Sequence, residues 1–365
     1  MDFTFSEEQQ AAAEAAKAVF SGVRPDAVPS PALVPGAVAD DFDRPLWRGL
    51  AAADLIGLQL DPEHGGSGLD LLAFCLVLRE SARVLARVPL LETGAAALAL
   101  QRYGADAPGA AELLGRVVRG EYVLTAAAAG RTGHDSAALA VSARRDGEGW
   151  LLDGAQTAVP WAQSADAVLV PAHAADGQPV LALVPRDAAG LTLADQVSTS
   201  GERMAEVRLS AVRPQLVLDA DGAWEWLRSV LAVGTCALAL GLGQAVLGMT
   251  GEYASKREQF GHPIATFQAV AVQAADRYID LRAMEVTLWQ AAWSLAPADV
   301  AVAKIWASDG VRRVVQTAQH LHGGFGADTD YTLHRYHAWA KHLELSLGPA
   351  AAHEEALGEL LAAEA

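Results

Sequence analysis

Cysteine is scarce in this chain. The 365 residues hold two, Cys75 and Cys236, far apart and each inside an apolar stretch, with no Cys-x-x-Cys and no Cys/His cluster. That excludes a disulfide framework and leaves two buried thiols in a reducing, cytoplasmic compartment as the expectation. Positive charge is also short. Lys and Arg number 27 against 44 Asp and Glu, a formal net charge of −17, and no basic stripe runs through the sequence. Such a surface repels phosphate backbones and argues against nucleic acid as a partner. A polyanionic ligand would need a local cationic patch set against this field. The first ten residues, MDFTFSEEQQ, are acidic and contain no apolar core, so no signal peptide is expected. Internal repeats and low-complexity linkers are missing as well.

Apolar residues are plentiful, at 52%. That is enough for a large core or for two to three packed subdomains. The nearly uncharged run VLAVGTCALALGLGQAVLGM, residues 230–249, is long enough to span a bilayer. Its Ala, Gly and Thr content suits close helix packing, so a buried core helix and no membrane span is expected.

Residues 1–120 read as helices. Ser6 is placed to cap a helix whose first turn is acidic. The Pro-rich stretch 25–35 breaks it, and IGLQLDPEHGGSGLD turns between two later helices. Residues 121–218 change to short apolar or alternating runs divided by turns such as RRDGEGW and AADGQPV, the pattern of an antiparallel β-domain. Residues 219–365 return to helix. Apolar positions 264, 267, 271, 274, 278 and 281 follow three- and four-residue spacing, read as one face of a long helix. Gly323, Gly324 and Gly326 interrupt the next one, and a four-helix bundle is expected at this end.

The most informative segment is YASKREQFGHPIATFQAV, residues 253–270. Lys256 and Arg257 end a buried helix, Phe260-Gly261 makes a turn, and Pro263 falls near the start of the next helix. Arg257 suits a bidentate grip on a pyrophosphate, with Gln268 in reach of the same ligand. On these residues alone, basic helix capping with an ordinary turn is an equal alternative. Together with IGLQLDPEHGGSGLD and with AQHLHGGFGADTDYTLHRYHAWAK further on, however, the segment resembles the signatures of the acyl-CoA dehydrogenases. The three stretches lie in family order over nearly the whole chain. The resemblance implies a mainly α fold with a middle antiparallel β-barrel: an N-terminal helical domain, the barrel, and a C-terminal four-helix bundle. It implies FAD as cofactor, an acyl-CoA substrate and an electron-transfer flavoprotein as acceptor.

By position, the resemblance implies that Arg257, Gln259, Phe260, Gln268, His320, Gly323 and Gly324 contact the adenosine diphosphate half of FAD bound to a neighbouring subunit. Gly323–Gly324 lets backbone approach the pyrophosphate. Thr125 is kept from the family's flavin-contacting segment, within TAAAAGRTGHD at 125–135. The ring platform departs from the family. Ala158 and Pro160 replace its tryptophan and hydroxyl residue, and Trp161 falls on the opposite strand face if that strand continues. Dehydrogenation also needs a carboxylate to take the α-proton. The usual position is Leu347, and the minority position falls near Leu231, so no catalytic residue is assigned. Glu225 and Glu252 lie off the expected face, and Glu354 and Glu355 read as dipole partners of a helix start. His320, His322, His334, His337 and His342 have no acidic ligand arranged with them, and no metal site is expected.

A missing base, an eroded platform and a retained Arg/Gln/Gly-Gly patch point to divided labour: an α2β2 heteromer in which the partner chain carries the carboxylate. A homomeric dehydrogenase with an unrecognised base, a related flavin monooxygenase and a catalytically silent scaffold remain alternatives.

Overall fold

A computed structural model describes residues 4–25, 37–39, 41–130, 139–147 and 149–363. The expected Pro-rich break over 26–35, the turn residue Glu148 and residues 131–135 of the Thr125 segment lie outside the described residues. Helices α1 (Glu7–Phe20), α2 (Arg44–Ala52), α3 (Leu71–Arg83), α4 (Leu90–Gly104) and α5 (Ala110–Val118) come first. Ser6 caps α1 as its sequence predicts. Its hydroxyl accepts from the Gln9 backbone N–H at 3.2 Å, and the Gln9 side chain accepts from the Ser6 N–H at 2.9 Å, which satisfies two N–H groups that a helix start leaves without partners.

Eight strands follow: β1 (Leu124–Ala126), β2 (Val141–Asp146), β3 (Gly149–Pro160), β4 (Ala167–His173), β5 (Pro179–Pro185), β6 (Leu191–Val197), β7 (Arg203–Val212) and β8 (Leu216–Leu218). They form one sheet in the order β6-β7-β3-β2-β4-β5-β8, with β1 paired to β4. The expected barrel is corrected to an open sheet, because the ladder begins at β6 and ends at β8 without closing. Nor is it wholly antiparallel. β1 runs parallel to β4, and β2 meets β4 in parallel through the single pair Ser142 and His173.

The last third holds α6 (Ala223–Lys256), the small hairpin β9 (Glu258–Gln259) and β10 (His262–Pro263), α7 (Gln268–Ser294), α8 (Pro297–His322), α9 (Leu333–Leu345) and α10 (Ala350–Ala363). α6 is long and apolar enough to cross a membrane, yet 78% of its most apolar stretch is buried inside the fold. Its small residues explain how. A Cβ on Gly241 would sit 2.0 Å from the Arg79 carbonyl oxygen, and one on Gly234 would sit 2.2 Å from Leu91 Cδ1. The α6 backbone therefore lies directly on α3 and α4. Cys75 and Cys236 are both buried free thiols. Burial raises the pKa of each, that of Cys236 to about 12.

The expected face of α7 is also corrected. Residues 264–266 form a short 3-10 turn, and α7 starts at Gln268. Of the six positions, only Leu281 is buried, while the inner face is built by Asp280, Leu281, Met284, Leu288, Ala291 and Ala292. A second apolar line points outward. Val272, Ile279, Val286 and Trp293, spaced by seven, are 51%, 63%, 57% and 66% exposed.

Gly241→Ala is expected to destabilise the fold by about 1–3 kcal/mol, at the upper end because the obstacle is backbone. A lowered urea midpoint with an unchanged slope checks this, and an unaltered midpoint contradicts the close α3–α6 contact.

Candidate functional site

Two regions of the fold collect the residues singled out above. The first is the end of the helical bundle where α6 and α8 terminate and α7 begins. Tyr253 near the end of α6 stacks on His322 at 4.2 Å between ring centroids and on Phe325 at 5.7 Å. Phe260 meets Phe267 edge-on at 6.3 Å, tying the β9–β10 turn to the start of α7. Arg257, Gln259, Phe260, Gln268, His320, Gly323 and Gly324 are all exposed at this end. Phe260 is 93% exposed. No carboxylate among the described residues pairs with the Arg257 guanidinium. The space over Gly323 and Gly324 is open, since a Cβ on either would meet nothing within 4 Å. Gly323 has φ +59 and ψ −139, a backbone state that favours glycine.

The second region is a cavity of about 620 Å³ between α4, the β-sheet, α6 and α9. Leu347 and Leu231, the two positions at which a base was sought, both line it. So do Ala158, Pro160 and Trp161. Trp161 is thus corrected: β3 ends at Pro160, and Trp161, at φ +58, lies past the strand, where alternation no longer decides which way a side chain faces. Thr125 does not join either region. It is fully buried, and its hydroxyl donates to the Pro160 carbonyl at 2.6 Å. The backbone N–H of Ala158 is occupied too, donating to Gln196 Oε1 at 2.8 Å, while Gln196 Nε2 donates to the Thr157 hydroxyl at 2.8 Å. Glu225, Glu252, Glu354 and Glu355 do not line the cavity, and Glu252 is engaged with Lys256. Among the described residues no three His, Cys, Asp or Glu side chains gather as a metal site.

The loop bearing Leu347 is held from beneath by a lysine the sequence did not single out. Lys304 on α8 is fully buried. Its ammonium donates to Ser308 Oγ at 2.7 Å and to the carbonyls of Gly348, Glu344 and Leu343 at 3.1, 3.3 and 3.4 Å. A cation here meets the negative end of α9. His353 Nε2 donates to the Leu347 carbonyl at 3.0 Å. Leu347 itself sits at φ +59, a left-handed state that costs a non-glycine residue about 1 kcal/mol. Burial pulls the Lys304 pKa down to about 8. Burial, with the Lys304 charge second, holds His342 and His353 near a pKa of about 4.

One carboxyl on the cavity wall was also missed. Glu92, in the first turn of α4, is raised to about 7 by burial, with hydrogen bonding from its own backbone and from the Trp161 side chain opposing the shift. In sequence it is an ordinary acidic residue at a helix start.

Family models for the N-terminal and C-terminal domains of acyl-CoA dehydrogenase match residues 6–121 and 227–361. Acyl-CoA dehydrogenase FadE27 of Mycobacterium tuberculosis is 36% identical over 338 residues, covering 88% of this chain and 89% of that one. Among solved structures, the Tcur3481-Tcur3483 steroid ACAD G363A variant superposes with a TM-score of 0.90 at 38% identity, covering 98% of each chain. The ChsE4-ChsE5 complex from Mycobacterium tuberculosis gives 0.89 at 34% identity over 99% of each. The chain belongs to the acyl-CoA dehydrogenase family, a family of flavoprotein oxidoreductases whose cofactor is FAD.

His342 and His353, both partly buried, give a pH prediction. Their folded pKa values of about 4 lie below the unfolded value of 6.5. The unfolded chain therefore binds more protons between those limits, and stability is complete above pH 6.5 and lost as pH falls toward 4. Glu92, raised from 4.5 to about 7, works the other way and offsets one of these two protons. The urea midpoint should rise with pH across this window in the parent and lose that rise in His342→Gln/His353→Gln. An equal rise in both would contradict the neutral-histidine assignment.

Proposed function

We propose that this chain is one subunit of an α2β2 acyl-CoA dehydrogenase, in which a related partner chain supplies the catalytic carboxylate and most of the flavin-ring site. When bound, FAD accepts the hydride in α,β-dehydrogenation of an acyl-CoA thioester. This chain's part is the pyrophosphate half of a partner-held FAD. Arg257 offers a forked cation, Gln259 and Gln268 offer amide donors, His320 offers a ring N–H, and Phe260 covers the turn. Gly323–Gly324 leaves room for backbone approach, which the open space over both residues supports. The ring half fits this chain poorly, because the Thr125 hydroxyl and the Ala158 N–H are already used within the chain. The proposed division of the chain is 1–120, 121–218 and 219–365. An electron-transfer flavoprotein is the proposed acceptor.

A length carries the part of this proposal in which the flavin is shared between subunits. Leu231 and Arg257 are 26 residues apart along α6 and its cap, about 39 Å at the helical rise. Lys304, bonded to the Leu347 loop, and Gly323 are 19 residues apart along α8 and its cap, about 28 Å. The ribityl arm joining a flavin ring to its pyrophosphate has about seven single bonds of about 1.5 Å each and spans less than about 10 Å. A ring placed beside Leu231 and Leu347 cannot also rest its pyrophosphate on Arg257 and Gly323 of the same chain. A cationic glycine cradle at that remove fits a dinucleotide whose ring lies in another subunit. The two-chain names of the neighbours described above favour a heteromer. The outward line on α7 gives such an assembly an apolar contact face.

In the co-purified assembly, Arg257→Ala is expected to weaken flavin retention about 10- to 100-fold, the loss of a charge-assisted hydrogen bond. Flavin retained undiminished through dilution would overturn the cradle assignment. Ile279→Glu/Val286→Glu is expected to shift the assembly to a smaller species in light scattering, and an intact assembly would remove α7 from the contact.

A further inference from the structure

Behind the exposed residues of the cradle lies a layer of aromatic rings. Gly323–Gly324 open a five-residue 3-10 turn, Gly323–Ala327, directly after α8. A 3-10 run of that length is uncommon because its hydrogen bonds are poorly aligned, so this one needs support from side chains. Gly326 is its buried residue. A Cβ there would sit 3.0 Å from His322 Cβ and 3.1 Å from the Gln319 carbonyl oxygen, so the turn folds back on the end of α8. The chain then curls again. The Asp328 N–H donates to the Phe325 carbonyl at 3.2 Å, and the Tyr331 N–H donates to the Asp328 carbonyl at 3.1 Å. Tyr331 thereby reaches His322, which is 3% exposed and has both ring nitrogens engaged. Nδ1 lies 2.7 Å from the Ala318 carbonyl and Nε2 lies 3.2 Å from the Tyr331 hydroxyl. A carbonyl only accepts, so Nδ1 carries the proton, and in a neutral ring Nε2 accepts from the hydroxyl. Burial lowers the His322 pKa and favours that neutral ring.

We propose that Tyr331, acting through its hydrogen bond to His322, is a positioning residue that sets Gly323–Gly324 against Arg257 and so fixes how tightly this subunit grips the adenosine diphosphate half of FAD. The rings make the connection. Tyr331 meets His322 at 5.3 Å and Phe325 at 4.4 Å between ring centroids. Tyr253 stacks on both His322 and Phe325, so the four rings form a closed circuit. Tyr253 also ends α6: its carbonyl accepts from the Arg257 N–H at 2.8 Å. The circuit therefore ties the helix end that presents Arg257 to the turn that presents the glycines. Stacked rings slide past one another at little cost, whereas a hydrogen bond fixes direction. The Tyr331 hydroxyl supplies that fixed point. Its own backbone is held in turn, since His334 Nδ1 donates to the Tyr331 carbonyl at 2.8 Å. The inference rests on the cradle reading and deepens it, and the experiment below separates the two.

The co-purified assembly, dialysed to equilibrium against mixed FAD and FMN, tests this by the ratio of the two flavins released on denaturation. FMN carries the ring but lacks the adenosine half, so the cradle's grip is read as preference for FAD. Tyr331→Phe keeps the ring and its stacking. It should lower that preference about three- to tenfold, the loss of one hydrogen bond, with FMN binding unaltered. His322→Phe should lower it as much, and adding Tyr331→Phe to His322→Phe should cost nothing more. Arg257→Ala reports on the cradle itself. A preference that falls in Arg257→Ala but not in Tyr331→Phe overturns the positioning role and leaves the cradle standing. A preference absent from the parent, or untouched by Arg257→Ala, removes the cradle and this inference with it. Equal loss of FAD and FMN in Tyr331→Phe, or additive losses in the double variant, would show a general loosening and also overturn it. Should His322→Phe fail to fold, the flavin ratio of Tyr331→Phe decides the question.

Discussion

A helix does not stretch, and that constraint sets the geometry of this protein. α6 runs unbroken over 34 residues with its backbone pressed against α3 where Gly241 leaves no room for a side chain. α8 runs beside it in the same direction. Tyr253 stacks on His322 at one end, and the Lys304 charge acts on Cys236 toward the other. The loop of Leu347 hangs from Lys304. The glycine-lined patch sits where both helices finish. One pair of rods thus carries two chemically different places and keeps them apart, so neither can move toward the other without breaking the bundle.

The cavity end is shaped by its backbone contacts more than by the side chain at position 347. The backbone of the Leu347 loop is held by the Lys304 ammonium and His353, not by the side chain at position 347. Leucine there adopts a left-handed conformation it disfavours, because the surrounding hydrogen bonds over-determine it. Beneath the loop, burial first and the Lys304 charge second keep two histidines neutral. The ionisable chemistry near this cavity holds the loop in place.

Much of this was legible in the sequence, for physical reasons that differ by element. Ser6 and Gln9 announce a helix start because a capping box is a local hydrogen-bond pattern. The 230–249 run read correctly as a core helix because its small residues made sense only against close neighbours. Leu231 and Leu347 were placed from separate motifs, and the structure brings them to one cavity. The rest depended on tertiary geometry. Whether β6 meets β8 is a matter of sheet curvature, which strand patterning does not encode. Trp161 turned inward because β3 stops one residue earlier. α7 misled because it is apolar on two sides, and periodicity does not say which side faces the core. Lys304 and Glu92 carry no local signal: a lysine in a helix and an acid at a helix start are ordinary until their burial is known.

The central claim is that the cradle of this chain serves a flavin ring held mainly by another. Its most direct test is the amount of bound flavin per chain, read by visible absorbance after denaturing release, for the chain purified alone and for the chain co-purified with its partner subunit. The account predicts a colourless chain alone and stoichiometric FAD in the assembly. A chain that by itself retains one FAD per protomer would contradict it.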